Sequence, residues 1–228
     1  MDLICPICGS KLNRLDKSLV CAGHHCFDIA RQGYVNLLTV QQKHSLHPGD
    51  TREQVLSRRA FLEAGYYAPI ADALIAVAKE LMVNSNEIRP SGELLDVGCG
   101  EGYYSARLAG ALGLHLTGMD ISREAVRCAA GKYKNGLWLC ATASHIPVAD
   151  HSCDLLTSLF ALTMPEEFRR VLRPEGYFLQ VLAAEDHLLG LKSIIYDHLI
   201  EKPKDTVPDV PGFTLVKSVP IRFTFTVE

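Results

Sequence analysis

Four cysteines and two histidines lie close together in the stretch CPICGSKLNRLDKSLVCAGHHC, which begins at Cys5. Cys5 and Cys8 have the Cys-x₂-Cys spacing of a zinc knuckle, in which two thiolates reach one ion across a tight turn. Cys21 supplies a third sulfur. The fourth ligand is one of the adjacent His24, His25 and Cys26, and ligand chemistry alone slightly favours the Cys26 thiolate. Four sulfur and nitrogen ligands suit a tetrahedral, structural zinc ion. Free cysteines in a loop are the alternative, but two closely spaced pairs favour a metal.

A second chemical pattern, LLDVGCGEGYYS, occupies residues 94–105. A predicted strand ends near Asp96, a turn follows with Gly98 and Gly100, and a helix comes next. The glycines allow the backbone to approach a ligand closely at the carboxyl end of the strand. Asp120 follows at the end of the next predicted strand, at a spacing suited to binding two ribose hydroxyls. The pattern therefore predicts a site for a nucleoside-containing cofactor.

The acidic residue before the glycines separates two candidate cofactors. A dinucleotide site has G-x-G-x-x-G, and the helix N-terminus holds a pyrophosphate. Here the third glycine comes one residue too early, and Asp96 would repel a phosphate. S-adenosylmethionine (SAM) has no phosphate and carries an ammonium and a sulfonium, so the pattern favours SAM over NAD(P).

The sequence does not identify a catalytic base. After the fourth predicted strand the chain reads LFALTMPEE, with no ionisable side chain between Phe160 and Glu166. His145, Asp150 and Asp154 are candidates only because they lie near the ends of predicted strands, and Asp154 also suits a structural role at a strand start. The catalytic residue is therefore unknown.

Alternating strands and helices must position these groups. We predict strands at residues 93–97, 114–119, 137–141, 153–160 and 177–183, with helices at 103–111, 123–132, 165–172 and 188–199. Two earlier helices begin near Thr51 and after Pro69, and one or two late strands lie within GFTLVKSVPIRFTFTVE. Repeated βα units of this length predict an α/β, doubly wound parallel sheet.

Charge divides the chain unevenly. Residues 1–60 carry eight Lys and Arg against five Asp and Glu, whereas the remainder carries 15 against 21. The basic N-terminal part favours an anionic partner. No apolar run reaches ~18 residues, and the start lacks the pattern of a signal peptide, so we expect a cytoplasmic protein with reduced cysteines and no membrane partner.

These segments together resemble one family. CPICGSKL, FDIARQGYVNLL, HPGD, RRAFLEAGYYAPI and LDVGCGEGYYS are similar, in the same order, to the bacterial 23S ribosomal RNA (guanine-N1)-methyltransferases. The resemblance implies a small zinc-ribbon-like domain followed by a class I SAM-methyltransferase domain with a Rossmann-like sheet. It further implies methylation at N1 of a guanosine in a 23S rRNA hairpin, and no DNA partner.

The resemblance also implies particular site residues. It selects His25 over Cys26, so the implied zinc ligands are Cys5, Cys8, Cys21 and His25. It adds SAM contacts from three further parts of the chain, at Tyr67, Tyr104, Ser105 and His187. The expected domains are residues 1–38 for zinc, 39–60 for a linker and the start of a connecting helix, and 61–228 for methyl transfer.

Two departures from the family keep other functions open. The family has an Ala-Pro-Cys-like stretch where this chain has Ala161, Leu162 and Thr163, and its domain continues beyond the position of Glu228. We expect the shorter C-terminus to leave a sheet edge that homodimerisation could cover. The alternatives are an RNA-binding paralogue with impaired catalysis and a SAM methyltransferase of small molecules.

Overall fold

The computed structural model describes residues 1–43, 45, 48–84, 91–196, 198 and 207–226. Within this part, the strands are β1 (Leu12–Leu15), β2 (Ser18–Cys21), β3 (Cys26–Asp28), β4 (Tyr34–Asn36), β5 (Glu93–Val97), β6 (His115–Asp120), β7 (Gly136–Cys140), β8 (Cys153–Leu159) and β9 (Leu172–Val181). The helices are α1 (Arg52–Glu63), α2 (Ala68–Asn84), α3 (Tyr103–Leu112), α4 (Arg123–Lys132), α5 (Pro165–Val171) and α6 (Leu189–Ile195).

Six strands form one sheet in the order β4-β7-β6-β5-β8-β9. Each neighbouring pair is parallel, which confirms the predicted parallel sheet. The chain moves outward from β5 to β6 and β7 on one side and to β8 and β9 on the other. The carboxyl ends of β5 and β8 therefore flank the switch point where open α/β sheets bind their ligands.

Both faces of the sheet are covered. Apolar side chains of α2, α3 and α4 pack on one face, around the buried Trp138 of β7. On the opposite face, Phe168 of α5 shares a core with the N-terminal residues, including Leu3 and Leu12. Strands buried on both sides explain the nearly continuous apolar runs in β5 and β8, such as Leu94 and Leu95.

A small antiparallel sheet, in the order β1-β2-β3, lies at the N-terminus. An isolated antiparallel bridge between Leu3 and Val148 connects the segment before β1 with the loop between β7 and β8. The next strand, β4, leaves the small sheet and pairs with β7 at the edge of the large one, with Tyr34 opposite Trp138. The division at residue 38 stays a prediction, but a strand from before this position completes the large sheet.

Helix α1 begins where the sequence predicts. The Thr51 hydroxyl accepts a hydrogen bond from the Gln54 backbone N–H at 3.3 Å, and the Gln54 side chain accepts from the Thr51 N–H at 2.8 Å. This reciprocal capping box satisfies two N–H groups that the first turn leaves free. No described helix could cross a membrane alone; α1 and residues 68–82 of α2 meet the length and composition criteria only as a pair bent by 75°.

The C-terminal expectations are partly wrong. Residues 207–226 contain no strand, although late strands were expected in this segment. Strand β9 begins at Leu172 rather than residue 177, because Leu172 pairs with Cys153 before an irregularity and the regular pairing resumes at Tyr177. The helix predicted over 188–199 is shorter than expected, because α6 ends at Ile195 and Tyr196 is its C-cap. Part of the predicted linker lies outside the described residues.

Candidate functional site

The four predicted zinc ligands lie together. One donor atom from each of Cys5, Cys8, Cys21 and His25 lies within 4.8 Å of the other three. The Cys8 and Cys21 sulfurs are 3.6 Å apart, and His25 Nδ1 lies 3.5 Å from the Cys5 sulfur and 3.4 Å from the Cys21 sulfur. This arrangement brings together residues from two separate turns.

Local backbone geometry favours His25 over Cys26 as the fourth donor. His24 has a left-handed φ of +60°, and its N–H donates to the Cys21 carbonyl at 3.0 Å, which turns the chain tightly after β2. His25 then faces the sulfurs, whereas Cys26 begins β3, pairs with Val20 and is exposed. The geometry agrees with His25 as the fourth donor and leaves Cys26 outside the group.

The spacing of the donors fits zinc. A tetrahedral ion with typical Zn–S and Zn–N bond lengths places sulfurs ~3.7 Å apart and sulfur and nitrogen ~3.6 Å apart. The three distances above match these values closely. Hydrogen bonds from the Ser10 side chain and backbone lower the pKa of the Cys8 thiol to about 6, which favours the thiolate that a metal requires. The residues present therefore fit one structural zinc ion.

The glycine turn lies at the carboxyl end of β5. Gly98 has φ +82°, and its N–H donates to the Met119 carbonyl at 2.8 Å. A Cβ at Gly98 would lie 2.5 Å from the Cβ of Ala161, which follows β8. At Gly102, where φ is also +82°, a Cβ would lie 2.6 Å from the Trp138 ring. Glycine is thus required both for backbone conformation and for close approach of neighbouring elements.

Asp96 lies buried directly behind this turn and is 1% exposed. It accepts hydrogen bonds from the hydroxyl of Ser105, at the start of α3, and from Thr157 of β8 at 2.7 Å. Burial raises the pKa of Asp96 to about 6, although the two hydroxyl donors act in the opposite direction. Ser105 therefore orients Asp96, and its direct contact with SAM stays a prediction.

Asp120 lies at the carboxyl end of β6, beside the turn. Its carboxylate accepts a hydrogen bond from the Gly100 N–H at 2.9 Å and another from the Ser122 N–H at 2.8 Å. Burial nevertheless raises the pKa of Asp120 above its usual value. Because Asp120 is fixed at the edge of the turn, it can accept hydrogen bonds from ribose hydroxyls.

Aromatic side chains from distant parts of the chain meet at the same edge. The Tyr67 hydroxyl lies 2.9 Å from His187 Nε2. Phe160 stacks on the His187 ring, with centroids 5.8 Å apart. The hydroxyl of Tyr104 is buried and has no hydrogen-bond partner within the described part of the chain. A buried hydroxyl without a partner is costly, so a bound ligand at this position would satisfy it.

These residues fit SAM. Asp96 and Asp120 offer carboxylates to an ammonium and a ribose, and Gly98 allows close approach. Tyr104 offers a hydroxyl that has no partner among the residues described. The predicted contacts Tyr67 and His187 lie on the same edge, although they are far apart in the sequence. Each individual contact with SAM remains a prediction.

Two of the candidate bases lie at the wrong end of the sheet. Asp154 is the second residue of β8 and is 4% exposed. It accepts hydrogen bonds from the Glu93 N–H at 2.7 Å and from Arg173. Asp150 precedes β8 and pairs with Arg170 at 2.8 Å. Asp154 therefore connects the starts of β5, β8 and β9, and Asp150 connects the segment before β8 with α5. Both lie away from the carboxyl edge where the glycine turn lies.

Sequence reasoning missed a cation beside the turn. Arg58 of α1 donates from Nε to Glu101 at 2.9 Å and from Nη1 to Asp50. Arg58 lies in the segment RRAFLEAGYYAPI, but no spacing rule links an arginine on a helix to a glycine turn that comes much later in the sequence.

His145, the third candidate base, lies in the loop after β7 and is exposed.

The affinity for SAM should rise with pH up to about pH 6. Asp96 is partly protonated in the free protein near this pH, whereas the positive charges of SAM favour its carboxylate form. We expect about tenfold weaker binding per pH unit below pH 6, measured by calorimetry between pH 5 and 8. Asp96→Asn should remove most of this dependence, and a wild-type affinity that is flat over this range would contradict it.

Asp96 has the opposite effect on the stability of the cofactor-free protein, which should fall, not rise, as the pH increases. Its pKa rises from 3.8 to about 6 on folding, so the folded state binds more protons between these values. Asp96 therefore lowers the free energy of unfolding as the pH rises through this window.

Known proteins resemble both parts of the chain. A zinc-ribbon family model described as “RlmA, N-terminal” matches residues 3–46, and one described as “Methyltransferase domain” matches residues 95–180. A Micromonospora griseorubida protein, provisionally named a 23S rRNA (guanine-N(1)-)-methyltransferase, is 38% identical over 205 residues, covering 83% of this chain and 68% of that protein.

Two further relatives carry similar names. The 23S rRNA (guanine(748)-N(1))-methyltransferase of Streptomyces fradiae is 36% identical over 199 residues, covering 83% of this chain and 66% of that protein. A Bacillus subtilis (strain 168) relative, also provisionally named, is 29% identical over 234 residues, covering 97% of this chain and 79% of that protein. Likeness of this extent, through the zinc ribbon and the methyltransferase sheet alike, shows that the chain belongs to the 23S rRNA (guanine-N1)-methyltransferase family.

Proposed function

We propose that this chain transfers the methyl group of SAM to N1 of a guanosine in a 23S rRNA hairpin in the cytoplasm. The observation that carries the proposal is that the likeness to rRNA methyltransferases runs through both modules, which share one hydrophobic core. A methyltransferase of small molecules has no evident need for a zinc ribbon fused to its sheet. A chain that only binds RNA has no evident need for the ordered glycine turn.

The proposal assigns a role to each predicted site residue. One structural zinc ion is held by Cys5, Cys8, Cys21 and His25. SAM is bound by Tyr67, Asp96, Gly98, Gly100, Tyr104, Ser105, Asp120 and His187. These roles are supported by the donor spacing at the N-terminus and by the convergence of the second set on one sheet edge.

Bound SAM would supply a methyl group carried on a sulfonium. Transfer of this group to N1 of guanine would break the methyl–sulfur bond, leave S-adenosylhomocysteine and release the N1 proton to water. The guanine must leave its stack to reach this edge, and a base in a hairpin loop costs least to extrude. Phe160 suits contact with an extruded base, because it follows β8 at this edge, is 41% exposed and has a left-handed φ of +55°. Backbone strain at a bulky residue is often found at functional sites.

Tyr67 and His187 form a hydrogen-bonded pair beside Phe160. Burial raises the pKa of Tyr67, so its phenol stays protonated near neutral pH and serves as a hydrogen-bond donor. This donor could stabilise negative charge on guanine as the proton leaves N1. We assign no general base.

The N-terminal module offers a surface for the RNA backbone. Lys11 of this module pairs with Asp2. Arg58 and Arg59 lie beyond the module, on α1, and pair with carboxylates there. Arg14 and Lys17 are exposed around the β1–β2 turn and form no ion pair with any described residue. They are therefore available for phosphates.

Replacing both Arg14 and Lys17 with alanine should weaken RNA binding and reduce its salt dependence. Each lost phosphate contact lowers the slope of log K against log salt by about 0.7–0.9. Filter binding to a 23S rRNA hairpin at several salt concentrations measures both effects, and SAM affinity should not change. Lys79→Ala, at an exposed position on α2, is the control. An unchanged slope in the double variant would place the RNA elsewhere.

The methyl transfer itself can be read by primer extension. Purified protein, SAM and 23S rRNA should give a polymerase stop at one guanosine, because N1-methylguanine cannot pair normally. SAM binding without a stop would favour the RNA-binding paralogue. Transfer to small molecules but not to RNA would favour the other alternative.

A further inference from the structure

Arg58 lies against the glycine turn, and one of its guanidinium nitrogens forms no hydrogen bond with a described residue. Its Nε donates to Glu101 at 2.9 Å and its Nη1 to Asp50. Its Nη2 has no hydrogen-bond partner among the described residues and points toward the turn, since a Cβ built on Gly100 would lie only 3.2 Å from it. The guanidinium therefore presents N–H groups to the space that the glycine leaves open.

The guanidinium is held in place from two sides. Glu101 belongs to the turn itself and is 4% exposed. Asp50 precedes α1, and its carbonyl accepts a hydrogen bond from the Ser122 hydroxyl at 2.7 Å, which ties it to the end of β6. A planar group fixed by two carboxylates loses little conformational freedom when it binds a third anion.

The charges around the turn are otherwise acidic. Asp96, Glu101 and Asp120 suit the cationic parts and the ribose of SAM, but they would repel its carboxylate. Arg58 is a cation in contact with the turn. Guanidinium N–H groups form strong, charge-assisted hydrogen bonds with carboxylates. A binding site for all parts of SAM thus needs a group with the properties of Arg58.

We propose that Arg58 binds the carboxylate of SAM through Nη2 and is a cofactor-binding residue of this chain. The assignment rests on the proposed function in one respect, namely that SAM is the cofactor. It explains why an arginine of α1 reaches across to the turn instead of remaining at the helix surface. It also gives the helix that follows the zinc module a direct part in cofactor binding.

Decarboxylated SAM provides the test, since it keeps the sulfonium and the ammonium and lacks only the carboxylate. Calorimetry should measure the affinities of both ligands for the wild type and for Arg58→Ala. We expect Arg58→Ala to weaken SAM binding by about 10- to 100-fold. The affinity for decarboxylated SAM should stay the same or improve, because a neighbouring cation is removed.

Two further variants keep the result interpretable. Arg58→Ala leaves Glu101 buried without its partner, so Arg58→Ala combined with Glu101→Gln removes that charge and should show the same discrimination between the ligands. Arg59→Ala is the matched control on the same helix, where Arg59 pairs with Glu63 at 2.6 Å. It should bind both ligands as the wild type does.

The outcomes separate this assignment from the proposed function. If Arg58→Ala weakens both ligands equally, Arg58 only holds the turn, and the assignment is overturned. Unchanged SAM binding in Arg58→Ala would overturn it as well. A wild-type protein that binds neither ligand would overturn the proposed function and this assignment together.

Discussion

Cys8→Ser should release the zinc ion and unfold the N-terminal module. Residues 1–38 contain only short strands, so the ion contributes much of the folding free energy of this module, on the order of 5 kcal/mol or more. The effect should reach the large sheet as well. Leu3, Leu12 and Leu19 pack in one core with Val148 and Phe168, so losing the module exposes apolar surface on that face.

Metal analysis and limited proteolysis measure this result. The wild type should contain one zinc per chain, and Cys8→Ser should lose it, become sensitive to protease near its N-terminus and melt at a lower temperature. Cys26→Ser is the control, because Cys26 is exposed on β3 outside the donor group. If Cys26→Ser loses zinc while His25→Ala retains it, the ligand assignment is wrong.

Gly98→Ala should reduce methyl transfer by about 100-fold or more. The new Cβ would lie 2.5 Å from the Cβ of Ala161, so the loop after β8 must move away from the turn. Displacement by about 1 Å at a reacting centre can cost a factor on the order of 100 in rate. SAM affinity should also fall, because the turn itself changes shape.

Gly113→Ala is the control that separates the two effects of Gly98→Ala, namely steric crowding by the new Cβ and strain in the left-handed backbone. Gly113 has φ +68°, similar to the +82° of Gly98, but no atom lies within 4 Å of the Cβ that would be added there. Both variants therefore bear the cost of a left-handed alanine, roughly 1–2 kcal/mol, whereas only Gly98→Ala disturbs the site. Equal activities of the two variants would show that close approach to Ala161 has no functional importance.

Periodicity was sufficient to predict most of the large sheet. The strand predicted at 93–97 and the helix predicted at 123–132 agree with the structure. Apolar runs that alternate with amphipathic helices are compatible with few folds other than a parallel sheet covered by helices. The short strand β4 was missed, since three residues carry no period that could be recognised. The late strands were wrong: Phe223 and Phe225 suggest alternation, but their rings pack near Tyr67 instead.

The site was predictable where spacing determines geometry. Gly98 and Asp120 are placed by the strands that precede them, so their separation in the sequence already implied a shared edge. The choice between His25 and Cys26 could not be made from ligand chemistry, because it depends on the left-handed backbone of His24. Arg58 was not predictable, since its contact with the turn depends on the packing of α1.

Pairing of β4 with β7 has a consequence for how the chain is made. Synthesis runs from the N-terminus, so the zinc module leaves the ribosome well before Trp138 is available to pair with Tyr34. Contacts so distant in sequence form late, after a large loop has closed. During that interval Val35, which is 1% exposed in the finished fold, has no sheet to cover it. We therefore expect nascent chains to contain a folded, zinc-bound N-terminal module followed by an exposed apolar segment at β4. Chaperones could bind this segment until β7 has been synthesised.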